Sequence, residues 1–380
     1  MKNKDAFIAD LLGITPENDK PYAELWMGTH PSAPSTIIDF AHGELSLSDW
    51  LAADPVNHLS RYRSAAFSTG LPYLFKVLSA NEALSIQAHP DKSQAEQLHQ
   101  QDPEHYPDSN HKPEIAIAID SLDALIGLLS DQDYEQVLGD IPELRALLYS
   151  DNASTTGIHD DVLKILRLWE NQPDAIETCI GYLHNRLAKK STLTESESLF
   201  LNQTEIHGQR DVGLLFLFLL NRVHLGPGEA VYLPPGVPHA YLRGNIIECM
   251  ANSDNVVRLG LTKKFCDSKA LSRILTKERN TDFRVATSTS GPMTVYQTSV
   301  NEFQVSVLKI NAKKSHDFTG QTELTLFLIL DGLINFHWCS DEADCMSIFR
   351  RGDAFISPAN LSNYSLRAKQ NSSIYVVKLP

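Results

Sequence analysis

The chain of 380 residues is short of positive charge, with 33 Lys and Arg against 47 Asp and Glu and a net charge of −14. Such a surface has no bulk attraction for nucleic acid or an anionic membrane. Neither is expected as a partner, and any anionic ligand must meet cations gathered locally. Long apolar runs are also missing. The longest, 214–220, falls far short of the roughly 20 residues that span a bilayer. The first ten residues hold charge but no sustained apolar stretch and no small-residue cleavage site, so no signal peptide is read. Cysteine is scarce. Cys179, Cys249, Cys266, Cys339 and Cys345 are odd in number and form no C-x-x-C pair, which argues against a disulfide framework and a thiolate zinc site. Free thiols in a reducing cytoplasm are expected.

What is present is ordinary globular material, 42% hydrophobic and 21% charged, with length for two or three domains. The pattern predicts a mainly β chain with a helical insertion. Residues 1–120 mix turn residues with short apolar runs at 71–78 and 115–119. Over 121–205 the spacing of Leu122, Leu125, Leu128 and Leu129, and of Val162, Ile165, Leu166 and Trp169, predicts helices. From about 211 a short apolar helix or strand leads into strand-and-turn units that run to Pro380.

Two of those units resemble each other and a cupin half-motif, in which a turn and a short strand deliver a ligand into a jelly-roll barrel. One runs from Gly228 through Ala230-Val231-Tyr232-Leu233 to His239; the other runs from Gly352 through Ala354-Phe355-Ile356-Ser357. The histidine position of the first falls on Asn363 in the second. The expected architecture is two cupin-type jelly-roll barrels plus a helical domain. Residues 1–120 with 206–268 form the metal-binding barrel, 121–205 the insertion, and 269–380 a metal-free barrel with strands near 323–330 and 373–379.

Four residues read as metal ligands. In a strand, alternate side chains share a face, so Gln87 and His89 of Ser85-Ile86-Gln87-Ala88-His89 point the same way. Glu114 opens the apolar run 115–119, where a carboxylate is costly unless paired or bound to a cation. His239 sits in a proline-flanked loop. Two imidazoles, a carboxylate and an amide oxygen suit Zn²⁺ and admit other divalent ions. Arg258 lies between Val257 and Leu259. It either pairs with Glu248 or Asp254 or lines a polar cavity.

These pieces, with Ala23-Glu24-Leu25-Trp26-Met27-Gly28-Thr29-His30-Pro31, Phe75-Lys76-Val77-Leu78, Gln87-Ala88-His89-Pro90-Asp91-Lys92, Asn110-His111-Lys112-Pro113-Glu114, Pro238-His239-Ala240-Tyr241 and Asp254-Asn255-Val256-Val257-Arg258-Leu259-Gly260, resemble the type I mannose-6-phosphate isomerases, also called phosphomannose isomerases. The resemblance implies one Zn²⁺ per subunit held by Gln87, His89, Glu114 and His239. It implies reversible conversion of mannose 6-phosphate to fructose 6-phosphate, by a cytoplasmic monomer with a sugar phosphate as its partner. Arg258 matches the family's essential arginine. Lys112, Tyr241, Glu248, Asp254, Lys264 and Ser85 fall on pocket positions.

Aldose–ketose isomerisation moves a proton between C2 and C1 through a cis-enediol or enediolate, so negative charge develops on the sugar oxygens. Candidate bases are His111, Lys112, Asp254, Glu248 and a metal-bound hydroxide. Arg258 and Lys264, then Lys92 and Lys112, are the candidate phosphate contacts. One element departs from the family. The usual first strand, with its Tyr/Asp-x-Trp-Gly element, has no counterpart, and the segment 7–14 matches the stretch that normally comes just after that strand. A barrel short of one edge strand and one pocket wall is therefore expected. A non-catalytic sugar-phosphate-binding cupin is carried as a second expectation, and an iron-dependent cupin oxygenase fits less well.

Overall fold

The computed structural model describes residues 6–17, 20–39, 43–60, 70–149, 155–277, 282–340 and 343–380. Antiparallel strands dominate, and they gather into an eight-, a six-, a four- and a two-stranded sheet. No helix among the described residues is long and apolar enough to cross a membrane.

The eight-stranded sheet builds the first half. Glu24–Gly28 lies at its edge against Tyr73–Ala80, followed by His239–Ala251, Ile86–Ala88 and Val257–Gly260. The long strand Glu114–Leu128 pairs with His239–Ala251 and with Leu220–Leu225 and Ala230–Leu233. Directly opposed residues share a face of a sheet. The row Trp26–Lys76–Glu248 therefore faces one way, and the intervening row Phe75–Cys249–Ile115 faces the other. The second row belongs to an apolar core with Val305, Leu326, Tyr375 and Val377 of the six-stranded sheet. The first row faces a cavity. Alternation along the strand thus separates packing from chemistry.

Residues 131–207 carry five helices, Asp131–Asp140, Pro142–Leu148, Ile158–Asn171, Pro173–Leu187 and Glu195–His207. Prolines stand in the first turns of the second and fourth. The fifth opens with a capping box between Thr194 and Glu197. Ile158, Val162, Ile165 and Leu166 form the buried stripe of the third. The expectation of a helix through Leu122, Leu125 and Leu128 is corrected: all three lie in the strand Glu114–Leu128. That strand breaks register between Ala118 and Leu122, between Asp123 and Ala124, and between Leu125 and Leu128. Bulges of this kind interrupt the period of two, and the leucines that remain mimic a helical spacing.

The second half stacks the six-stranded sheet, which includes Gln304–Ile310, Thr325–Asp331 and Ser372–Lys378, on a four-stranded sheet. An aromatic core that includes Phe318, Phe327, Phe336 and Tyr364 lies between them.

Candidate metal centre and adjoining cavity

Three sheet residues converge in the first half. Glu114 opens its strand, and His239 opens its own opposite Gln87. His89 comes directly after the short strand Ile86–Ala88. Nε2 of His89 is 3.4 Å from Glu114 Oε1, and Nε2 of His239 is 3.6 Å from Glu114 Oε2. Their ligand atoms all lie within 4.8 Å of one another. All three residues are at least 98% buried, and among the described residues no other trio of His, Cys, Asp or Glu gathers in this way.

Both imidazoles are locked from behind. Nδ1 of His89 donates to the Asn255 carbonyl at 3.0 Å, and Nδ1 of His239 donates to the Val237 carbonyl at 2.9 Å. With Nδ1 carrying the hydrogen, each Nε2 presents a lone pair to the space beside Glu114, as metal-bound histidines do. His89 Nε2 and Glu114 Oε2 are buried with no hydrogen-bond partner. Two such orphans are costly in a dry interior, and a cation between them removes the cost. Burial pushes the His89 imidazole down to about 4, against the pull of Glu114, and so favours the neutral, ligating form. Burial also works against charge on Glu114, but His89 and His239 when protonated, with Lys112, hold its carboxyl well below the ordinary range. The Gln87 amide reaches to 3.5 Å from His239 Nε2, and a half-turn of that amide aims its oxygen at the same space. The donors fit a zinc ion.

A loop network supports His89. Asp108 accepts from Ser253 Oγ, Asp254 N and Asn255 Nδ2, and Asn255 Nδ2 also donates to the Asn110 carbonyl. The chain segment that presents the Asn255 carbonyl to His89 is thereby fixed.

Beside the centre lies a cavity of about 610 Å³. Ser85, Gln87, Lys112, Glu114, His239, Tyr241, Glu248, Asp254, Arg258 and Lys264 all line it. In the sheet, Arg258 and His239 stand on either side of Gln87, in register with it. Arg258 is half-buried, and among the described residues no carboxylate lies within ion-pair distance of its guanidinium. Of the two expectations for Arg258, the open cavity is the one observed. Burial lowers its pKa from the ordinary arginine value. Lys112 Nζ is 3.7 Å from Glu114 Oε1, and burial pulls its ammonium down against that carboxylate. Tyr241 donates to Glu248 Oε1 at 2.8 Å. Burial pushes the Glu248 carboxyl up, against the pull of Lys76. Asp254 Oδ1 is 3.1 Å from His30 Nε2.

Two residues that sequence reasoning places at the site lie apart from this cavity. Lys92, in the first turn of the helix Lys92–Gln101, donates to the Ser109 carbonyl and to Asn110 Oδ1. His111 Nε2 is 2.7 Å from Glu302 Oε1. Other lining residues are new. Lys76 Nζ is 2.6 Å from Glu248 Oε2 and 3.4 Å from Glu24 Oε2. Burial works to discharge Lys76, but the carboxylates outweigh it and hold its ammonium above the ordinary lysine range. A lysine inside an apolar strand signals such a pairing, although its partner is distant in sequence. Trp26 joins from the edge strand, Gln203 and His207 from the last helix of the helical segment, and Thr262 and Lys263 from the turn after Arg258.

Comparison with known proteins gives a consistent result. Residues 4–129 match the family described as phosphomannose isomerase type I, catalytic domain. The chain is 35% identical over 366 residues to mannose-6-phosphate isomerase of Mus musculus, covering 89% of this chain and 84% of that one. It is 35% identical over 367 residues to mannose-6-phosphate isomerase 2 of Arabidopsis thaliana, covering 91% and 82%. Among solved structures, a zinc-bound mannose 6-phosphate isomerase superposes with a TM-score of 0.84 at 28% identity, over 98% of this chain and 94% of that one. A point variant of phosphomannose isomerase from Salmonella typhimurium also gives 0.84, at 26% identity, over 100% and 97%.

Proposed function

The chain belongs to the type I mannose-6-phosphate isomerase family and is an isomerase of that kind, and from that premise we propose that it interconverts mannose 6-phosphate and fructose 6-phosphate at one zinc ion per subunit. The observation that carries this reading is a buried carboxylate between two imidazoles with fixed outer nitrogens, on a cavity that also holds an arginine with no carboxylate partner among the described residues. Gln87, His89, Glu114 and His239 would hold the metal. Zinc, when bound, supplies Lewis-acid charge where O1 and O2 of the open-chain sugar become negative.

The remaining steps belong to the chain's own residues. Arg258 sets fixed positive charge toward the cis-enediol(ate), in a partly dry site where such charge acts strongly. Lys112 Nζ takes the proton from C2 and returns it at C1, while the hydroxyl proton of O2 passes to O1. Glu248 is held by Lys76 and Tyr241, Asp254 contacts His30, and His111 contacts Glu302. Among the described residues Lys112 has only the longer contact to Glu114, and its burial favours release of a proton. Lys263 and Lys264 meet the phosphate as point charges.

We read the metal-bearing sheet as a cupin barrel, residues 131–207 as its helical insertion, and the strands from 287 onward as a metal-free barrel. A monomer in the cytoplasm completes the proposal, since five free thiols fit a reducing compartment. Nothing observed favours a binding protein without turnover.

Coupled detection of fructose 6-phosphate tests the reading. A chelator should abolish turnover and added zinc should restore it. Arg258→Ala should lower kcat about 10²–10³-fold with zinc retained, and loss of zinc would instead mean a structural arginine. In deuterated water Lys112→Ala should stop deuterium entering the sugar at C2, and wild-type exchange would reject Lys112 as the proton carrier.

A further inference from the structure

The turn after Arg258 brings Thr262, Lys263 and Lys264 to the cavity. Its backbone is unusual. Leu261, a buried residue, has φ of 54°, in the left-handed region that a branched side chain adopts only when its surroundings impose it. Asp211 imposes it here. Oδ1 of Asp211 accepts from the Leu261 amide at 3.0 Å and from the Gly213 amide at 2.8 Å, and Oδ2 accepts from the Thr262 amide at 3.3 Å. The two segments touch backbone to backbone. A Cβ on Gly260 would come within 2.3 Å of Asp211 Oδ1 and 2.6 Å of Gly213 Cα. Asp211 is nearly buried, and among the described residues no Lys or Arg pairs with it. Its nearest basic group is His207 Nδ1, at 4.0 Å, on another lining residue. A carboxylate withdrawn from water is thus satisfied chiefly by amides, two of which belong to the turn that carries the cavity's lysines.

We infer that Asp211 is a positioning residue for the substrate's phosphate. It holds the turn 260–262 in its left-handed shape, and that shape sets where Lys263 and Lys264 stand. This rests on the reading that the cationic end of the cavity takes the phosphate. Without Asp211, Leu261 relaxes to ordinary backbone angles and the lysines lose their aim, while zinc, Arg258 and Lys112 keep their own supports. The change should therefore appear in affinity and not in chemistry.

The experiment uses the full-length zinc enzyme. Asp211→Ala should raise KM for mannose 6-phosphate about tenfold, the equivalent of one lost charged contact. It should weaken competitive inhibition by inorganic phosphate to a similar extent, with kcat and zinc content kept. Asp211→Asn keeps an oxygen for the Leu261 and Gly213 amides and should recover most of the loss, leaving KM about two- to fourfold above wild type. A lower thermal midpoint with unchanged KM, or a fall in kcat with KM unmoved, would overturn the inference. If the alanine variant does not fold, the asparagine variant decides alone, and wild-type KM and phosphate inhibition in it would also overturn the inference. A Lys263→Ala/Lys264→Ala double variant separates the two levels. Unchanged phosphate inhibition there rejects the phosphate reading of the turn. Weakened inhibition there, with no effect in either Asp211 variant, rejects Asp211 alone.

Discussion

The two halves of the chain contain the same local unit with opposite contents. In the first, Gly228 takes a left-handed turn, a short strand Ala230–Leu233 comes next, and His239 begins the next strand fully buried. In the second, Gly352 turns the same way into Ala354–Ser357, and Asn363 caps a loop by accepting from the Gly320 amide before Tyr364–Ala368 begins. The inner space differs accordingly. Around His239 it holds Lys76, Lys112, Glu114 and Glu248 beside a cavity. Beyond Asn363 it is filled with rings: Phe327 stacks on Phe355 at 4.7 Å, and Phe318 stacks on Tyr364 at 4.8 Å. One backbone pattern thus supports a polar centre in one place and a closed core in the other, so function comes from the side chains placed inside it.

The largest expected effect removes the feature that separates the halves. His239→Ala should lose zinc and at least about 10³-fold in turnover, since both the metal and its charge leave the reacting oxygens. Metal analysis of the purified variant beside the coupled assay checks this, and full zinc occupancy would break the assignment. The counterpart in the second half is Phe327→Ala. Deleting a fully buried ring should cost about 3–5 kcal/mol of stability, read as a shift of the denaturant midpoint. Zinc content and KM of the folded fraction should not move. A loss of zinc there would show that the second core is part of the first half's site.

Much of the centre is legible in the sequence because its ligands obey local rules. Gln87 lies in the short strand Ile86–Ala88 with His89 two positions on, just past its end, and Glu114 stands at the mouth of an apolar strand. The features that the sequence hides are long-range. Lys76 reads as one polar letter in a core strand, and its partner Glu248 lies far along the chain. The leucines 122, 125 and 128 imitate a helix because bulges break the strand's alternation. Lys92 and His111 neighbour the ligands in sequence but turn to Ser109 and Glu302. Gln203 and His207 reach the cavity from a helix whose sequence carries no metal-binding spacing.

An intermediate effect probes the support behind the ligands. Asn255→Ala removes three hydrogen bonds to the Asp108 and Asn110 loop and loosens the carbonyl that fixes His89. Zinc affinity should fall about 10–100-fold, the usual cost of losing a metal ligand's supporting contacts. Competition against a metallochromic chelator measures it. Unchanged affinity would mean that His89 needs no such brace.

The smallest effect concerns the seam between the halves. Glu302, ahead of the strand Gln304–Ile310, meets His111, three residues before Glu114, at 2.7 Å. The hydrogen bond from His111 holds the Glu302 carboxyl below the ordinary carboxylate range. Its folded-state pKa is therefore the lower one. The contribution is present above the unfolded carboxylate's titration and is lost as pH falls through the depressed value. Both groups are partly exposed, so it should stay within about 1 kcal/mol. Glu302→Gln should lower the unfolding midpoint slightly at neutral pH, and the difference from wild type should vanish on acidification below the carboxylate range. A difference that grows on acidification would contradict the sign. The same variant tests His111 as a base. If the seam is only structural, kcat and its pH profile stay at wild type, whereas a shifted profile would draw His111 into the chemistry and join the two halves at the active site.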